Sequence, residues 1–311
     1  MYDLIILGAG PAGLAASIYA SRYKINHAVV GNVFDGSVPK AHMIENWPGE
    51  RSITGSELIM KFYNHAKELG NEFISEEAVE INKSPKKTDT GRDIFFVRTS
   101  SNKILESKSL IIALGTKHKK LNIPGEEKLL GKGVSYCAVC DGAFFKGKTV
   151  AVVGGSNAAA MSATMLSEHA KKVFLIYRGK PLRCEPIVEE RLEENPSVEI
   201  IYNTNVIKVE GSTKVESIEI DSVHEGSNII KLDGVFIEIG AVPSTSLLKE
   251  LNVEIDESSC IRISADGSTN VKGVFAAGDI TNASNSLRQV VTAVSEGAIS
   301  ATSAYKYLKE G

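Results

Sequence analysis

Short apolar runs, each closed by a glycine or a polar break, set the frame of this chain. Residues 4 to 7, LIIL, hold no polar position, and an Ala-rich segment follows them after a glycine-rich turn. An unbroken run of this length predicts a strand buried on both faces, as in a parallel sheet. The run HAVVG at 27–31 predicts the next strand. The arrangement returns at KTVAVVGGSNAAAMSATMLSEHA and is followed by another strand-like run, KVFLIY, at 172–177. Near the far end, VFAAGD at 274–279 predicts a short buried strand, a polar loop, and then a helix of small residues.

The turns between these elements carry the first chemistry. Gly8, Gly10 and Gly13 stand in GxGxxG spacing between a strand and a helix. In that context the first glycine permits a tight turn, the second lets backbone approach a pyrophosphate, and the third lets helix and strand pack closely. The phosphates then meet the free N–H groups of the helix N-terminus. The second copy has Gly154, Ser156 and Ala159 at the three positions, so Ser156 crowds the point where backbone would meet phosphate. The strand after the first turn ends in Val30 and Gly31 rather than in an acid for the ribose. The strand after the second ends at Tyr177 and is followed by Arg178 and Arg183, which suit a 2'-phosphate or are solvated loop charges. Asp279, closing VFAAGD, is placed to accept hydrogen bonds from a polyol or to act as a turn carboxylate.

Because 272–301 has no glycine fingerprint of its own, it is expected to complete the first unit. The fold class is α/β with two Rossmann-like, three-layer ββα-type dinucleotide-binding domains, the second inserted in the first. The expected domains are 1–115 with 242–311, and 116–241. Their seams fall where Lys, Pro and Gly break the pattern in ALGTKHKKLNIPGEE and IEIGAVPSTS.

The chain of 311 residues, with 43% hydrophobic and 23% charged positions, is long enough for two cores. A formal net charge of -3 provides no basic field, which argues against nucleic acid or an anionic membrane as partner. No run of eighteen apolar residues appears, and the N-terminus reads as a first strand rather than a secretion leader. With four cysteines only, a reducing cytoplasm is the expected location.

Two of the four, Cys137 and Cys140, form a CxxC followed by Asp141. Structural zinc needs four ligands and this motif supplies two. A disulfide here would close too small a loop to stabilise much. A redox-active pair, in which one thiolate attacks and the other resolves, is the third reading. Cys184 and Cys260 stand alone and read as small core or loop residues.

Taken in order, GAGPAG at 8–13, IENWPG at 44–49, ALGT at 113–116, SYCAVCDG at 135–142, AAGD at 276–279 and RQVVTAVSEG at 288–297 give the chain a family resemblance over essentially its whole length. It resembles the low-molecular-weight thioredoxin reductases of the flavin-dependent pyridine nucleotide-disulfide oxidoreductases. The resemblance implies that Gly8, Gly10, Ala12, Gly13 and Gly31 hold FAD, with Asn46 near the flavin and Val79 giving a backbone contact near the adenine. It places Gly278 and Asp279 on the ribitol side and Arg288, Gln289 and Val290 along the flavin ring. Cys140 would face the flavin, Cys137 would attack the partner's disulfide, and Asp141 would supply a proton. Gly154, Ser156, Asn157, Ala158, Arg178 and Arg183 would take the pyridine nucleotide. The implied partner is a thioredoxin-like small redox protein, and the implied assembly a homodimer.

In the nucleotide-binding unit the chain departs from the family. Ser156 replaces a glycine, Tyr177 a histidine and Gly179 an arginine, while Met161 and Ser162 stand where an acidic pair often follows the glycine motif. Loss of one arginine removes charge-assisted bonds worth about 1.5–3 kcal/mol each. NADPH is the expected donor with weakened affinity, and NADH, a reduced deazaflavin or ferredoxin are alternatives. A glutaredoxin- or peroxidase-type partner, or a flavin-binding redox sensor, are the other functional readings. A ferredoxin:NADP oxidoreductase of the same fold is disfavoured by the CxxC.

Overall fold

The computed structural model describes residues 1–41 and 43–310. Two compact units emerge: residues 1–117 with 242–311, and residues 118–241. The stretches Thr116–His118 and Ala241–Pro243 pair as a two-stranded ribbon where the chain passes between them.

The first unit is organised by the strand Leu4–Leu7, whose four residues are all buried. It pairs in parallel with His27–Val30 on one side and with Leu110–Ile112 on the other. Glu72–Ile74 and Val274–Ala276 extend the sheet at its two edges, both in parallel. Side chains alternate across a strand, and the two faces bury different partners. Leu4 and Ile6 pack with Leu14, Ala16 and Ala301 on the helical side. Ile5 and Leu7 pack with Ile81, Phe95 and Val97 of an antiparallel sheet formed by Ala78–Lys87, Asp93–Thr99 and Ile104–Ser107. This two-sided burial is why the strand reads as a continuous apolar run. Helix Pro11–Arg22 starts with Pro at its first position, where no intrahelical N–H is lost. The long helix Val290–Lys309 lies against it so closely that a Cβ on Gly297 would stand 2.1 Å from the carbonyl oxygen of Ala12. Helix Gly55–Glu68 begins with a reciprocal capping box between Thr54 and Glu57.

The second unit repeats this plan. Thr149–Val153 is flanked in parallel by Lys172–Ile176 and Gly234–Ile237, with Val198–Ile201 and Val134–Ser135 at the edges. Val150 and Val152 face helix Asn157–Ser167 through Ala159, Ala160 and Ala163. Ala151 and Val153 face the antiparallel sheet Val206–Glu210, Ser217–His224 and Ser227–Lys231, meeting Val209, Ile218 and Ile220. Both units are therefore three-layered: helices, a parallel sheet, and an antiparallel sheet. Among the described residues no helix is long and apolar enough to cross a membrane.

Candidate active site

In the first glycine turn the backbone does what the motif requires. Gly8 has φ +108°, and a Cβ there would stand 2.2 Å from the carbonyl oxygen of Ala113. Around Gly10 nothing lies within 4 Å of a built Cβ, so the middle of the turn opens onto free space. Gly13 packs its Cα against the turn, where a Cβ would fall 1.8 Å from the carbonyl oxygen of Gly8. Gly31, at φ +144°, and Gly278, at φ +82°, close in from neighbouring strands: their built Cβ atoms would meet Ala9 N at 3.1 Å and the Ala12 side chain at 3.0 Å. Gly8, Gly10, Ala12, Gly13, Gly31 and Gly278 thus converge on one helix N-terminus with an open centre. That cradle fits the pyrophosphate of a flavin dinucleotide.

Beside the cradle, burial pushes the Asp279 carboxyl up and the Arg288 guanidinium opposes the shift. Asn46 donates through Nδ2 to Gln289 Oε1 at 3.0 Å, joining two residues 243 positions apart. Arg288 donates through Nη2 to the sulfur of Cys260 at 3.3 Å, and Val290 begins the last helix. Val79, on the antiparallel strand, keeps a side chain that is 44% exposed.

Sequence reasoning missed Glu296. It is 8% exposed, and its Oε2 accepts from Gly278 N and from Thr281 Oγ1, both at 2.8 Å, while Oε1 accepts from Ser284 Oγ at 2.6 Å. The carboxylate pins the loop that presents Asp279. It stands within RQVVTAVSEG at 288–297, but that stretch does not show what the carboxylate holds, because its partners lie 12 to 18 residues away.

In the second unit Cys137 and Cys140 are joined as a disulfide. Cys184 and Cys260 are free thiols, partly and fully buried respectively. Cys137 sits in extended backbone, and its sulfur accepts the N–H of Cys140 at 3.2 Å. Ser135, 4% exposed, organises the rest. Its hydroxyl donates to Asp141 Oδ2 at 2.6 Å and accepts from Cys137 N at 3.0 Å. The proton donor expected from sequence is thereby tied to the same hydroxyl as the backbone of Cys137, the cysteine expected to attack. Next to the motif, Tyr136 donates to the buried Glu126 at 2.6 Å, which with burial raises the phenol well above its ordinary value. Phe144, close behind Asp141, is 73% exposed.

The second glycine turn keeps only part of the open geometry. Gly154 has φ +151°, and Asn157 and Ala158 start the helix. Ser156 pairs with Arg183 as an isolated parallel bridge, Arg183 N donates to Gly155 O at 2.6 Å, and Glu185 N donates to Asn157 Oδ1 at 2.6 Å. The Tyr177 ring lies against Gly155, where a Cβ would be 2.4 Å away, and the Arg183 guanidinium lies 5.8 Å from that ring. Arg178 and Arg183 are both exposed. The helix N-terminus remains solvent-facing at Ala158, so the unit still fits a dinucleotide, with the tyrosine covering the turn's flank.

Comparison with known proteins agrees with this geometry. The family model described as pyridine nucleotide-disulphide oxidoreductase matches residues 2–297. A thioredoxin reductase of Listeria innocua is 38% identical over all of this chain and 95% of its own length. The solved thioredoxin reductase of Lactococcus lactis superposes with a TM-score of 0.92 at 33% identity, all of both chains being covered. A solved ferredoxin-flavin thioredoxin reductase of Clostridium acetobutylicum gives a TM-score of 0.53 at 30% identity over 100% of this chain and 99% of its own. These likenesses, with the disulfide at Cys137 and Cys140, support a thioredoxin-disulfide reductase that uses a flavin and a nicotinamide cofactor. The chain belongs to the pyridine nucleotide-disulphide oxidoreductase family.

Proposed function

We propose that this enzyme passes electrons from NADPH, bound with reduced affinity, through FAD and the Cys137–Cys140 disulfide to a thioredoxin-like protein. The observation that carries the reading is the surface disulfide whose flanking acid and backbone share one buried hydroxyl, Ser135. FAD, held by the first unit through the cradle from Gly8 to Gly13 with Gly31, Gly278 and Asp279, supplies an electron pair when reduced. Asn46, Val79, Arg288, Gln289 and Val290 complete its surroundings.

The protein's own residues then carry the exchange. The disulfide accepts two electrons and one proton, leaving a thiol and a thiolate, and Asp141 serves the proton at its carboxyl. The Cys137 thiolate attacks one sulfur of the partner's disulfide, and the partner's other sulfur leaves as a thiolate and is protonated. Cys140 gives its proton through the Asp141 carboxylate to that leaving thiolate and, as thiolate itself, attacks the Cys137 sulfur. This re-forms the Cys137–Cys140 bond and releases the partner's second sulfur as a thiolate that takes a proton from solvent, so two electrons and two protons are transferred overall. The second unit takes the nucleotide at Gly154, Ser156, Asn157, Ala158, Arg178 and Arg183, and the assembly is a homodimer.

Two observations favour a second donor reading. Tyr177 and Gly179 leave two exposed arginines for a 2'-phosphate, and one solved relative is named for ferredoxin. The test is anaerobic titration of the bound flavin with NADPH and NADH separately, followed at its visible absorbance. Bleaching at micromolar NADPH supports the first reading. Bleaching by dithionite but by neither nucleotide would overturn it in favour of a ferredoxin or deazaflavin donor.

A further inference from the structure

One carboxyl at the carboxyl end of a central strand in the second parallel sheet has no part in the disulfide chemistry. Glu238 follows strand Gly234–Ile237, in which Ile237 pairs with Val153, and Glu238 N donates to Val153 O at 2.8 Å. Alternation along the strand settles its direction. Ile237 faces the antiparallel sheet and Phe236 the helix, so Glu238 turns toward the helix as well. There Ser162 Oγ donates to Glu238 Oε1 at 3.2 Å. The backbone of Glu238 also abuts the glycine turn, since a Cβ on Gly154 would stand 2.2 Å from the Glu238 carbonyl oxygen. A carboxylate accepts up to about four hydrogen bonds, and among the described residues Ser162 provides this one. Burial pushes the carboxyl up to about 7, and the hydrogen bond from Ser162 opposes the shift.

Sheet order assigns the flank. In a Rossmann unit the adenosine ribose is met at the end of the strand that follows the first helix, and the ligand lies across the carboxyl ends of the strands. Here that strand is Lys172–Ile176, followed by Tyr177, and it lies on one side of Thr149–Val153. Gly234–Ile237 lies on the other side. A dinucleotide with its pyrophosphate over Gly154 and its adenosine toward Tyr177 therefore extends its second half toward Glu238. We propose that Glu238, oriented by Ser162, accepts a hydrogen bond from the nicotinamide half of the cofactor, at its amide N–H or ribose hydroxyl. This rests on the reading that the second unit binds a nicotinamide cofactor. It also gives the unit a carboxylate on the flank where the helix carries Met161 and Ser162 in place of acids.

The test is calorimetric titration of the flavin-loaded protein with two probes, NADP+ and adenosine 2',5'-bisphosphate, which lacks the nicotinamide and its ribose. Glu238→Ala is expected to weaken NADP+ about tenfold and to leave the fragment within about twofold, as for loss of a hydrogen bond to a charged group. Glu238→Gln, nearly isosteric, is expected to weaken NADP+ by a smaller factor while keeping the wild-type melting temperature. If the wild type binds both probes and the variants lower neither, or lower both equally, the assignment of Glu238 is overturned and the nucleotide reading stands. If the wild type binds neither probe, nor NAD+ titrated in the same way, the nucleotide reading falls and this assignment with it.

Discussion

At Gly10 the first glycine turn leaves open space within 4 Å of where a side chain would begin, whereas the matching Ser156 of the second turn bridges to Arg183 and its neighbour Gly155 lies under the Tyr177 ring. The two turns sit in the same strand-turn-helix setting, between a strand buried on both faces and a helix rich in alanine. What differs is the second and third positions of the motif and the residue that follows the next strand. In the first unit that strand ends at Val30 and the residue after it is Gly31, which adds no side chain. In the second the strand ends at Ile176 and the residue after it is Tyr177, whose ring fills the flank. Cofactor preference therefore depends on what lies around the glycine turn as much as on the turn itself.

The sharpest way to break the comparison is Gly8→Val. It forces a β-branched residue to φ +108° and drives its Cβ into the Ala113 backbone, so the purified protein is expected to lose its flavin absorbance altogether. Gly10→Ala, with free space around the Cβ, is expected to keep the apoprotein's melting temperature yet retain less flavin. The pair separates folding from cofactor contact.

Next in size is the repair of the second turn. Gly179→Arg with Tyr177→His should raise affinity for NADPH over NADH by about tenfold or more, measured by anaerobic flavin titration, because each charge-assisted bond contributes about 1.5–3 kcal/mol. The Cβ at position 179 has room only if the ring moves, being 3.3 Å from Tyr177, which is why the double change is specified. A single Ser156→Gly, at the pyrophosphate position that both nucleotides share, should raise affinity for NADPH and NADH alike by a smaller factor.

The units should also answer acid in opposite ways. His27 is 5% exposed, bonded to Ser17 Oγ and Ile25 O, and burial holds its imidazole below the ordinary value. Its unfolded form takes a proton near pH 6.5 that the folded form resists, so the first unit loses stability as pH falls through that value. Glu238 has the opposite sign. Its folded value near 7 lies above the unfolded one, so its contribution is full at low pH and is lost as pH rises through about 7. Hydrogen exchange read by mass spectrometry at pH 7.5 and 5.5 should show protection falling around His27 and rising around Glu238. His27→Gln should remove the first trend alone.

The smallest expected effect concerns the partner. Phe144 is a large apolar side chain left 73% exposed three residues after Asp141, and Phe144→Ser is expected to slow reduction of a thioredoxin-like substrate several-fold through KM, with flavin reduction by the donor unchanged.

The parallel strands were legible because they are buried on both faces and leave an unbroken apolar run, as at LIIL and TVAVV. Their glycine turns were legible because a positive φ and a close backbone approach admit few other residues. The antiparallel sheets were not. Ala78–Lys87 exposes much of its length and reads as a polar mixture, and only pairing with Asp93–Thr99 makes Ile81 a core residue. The CxxC and Asp141 stood out by spacing. Ser135, which holds them, is an ordinary serine until the fold sets its hydroxyl between Cys137 N and Asp141.

By itself the sequence determined the class of fold, the two glycine turns and the redox pair, since each depends on neighbours within a few residues of one another. The tertiary structure alone decided that Glu296 would anchor the loop of Asp279, that Asn46 would meet Gln289, and that Glu238 would lie beside Ser162. Those contacts join residues 18, 243 and 76 positions apart, and a pairing over such distances is fixed by the register of strands and the packing of helices, which no local pattern records.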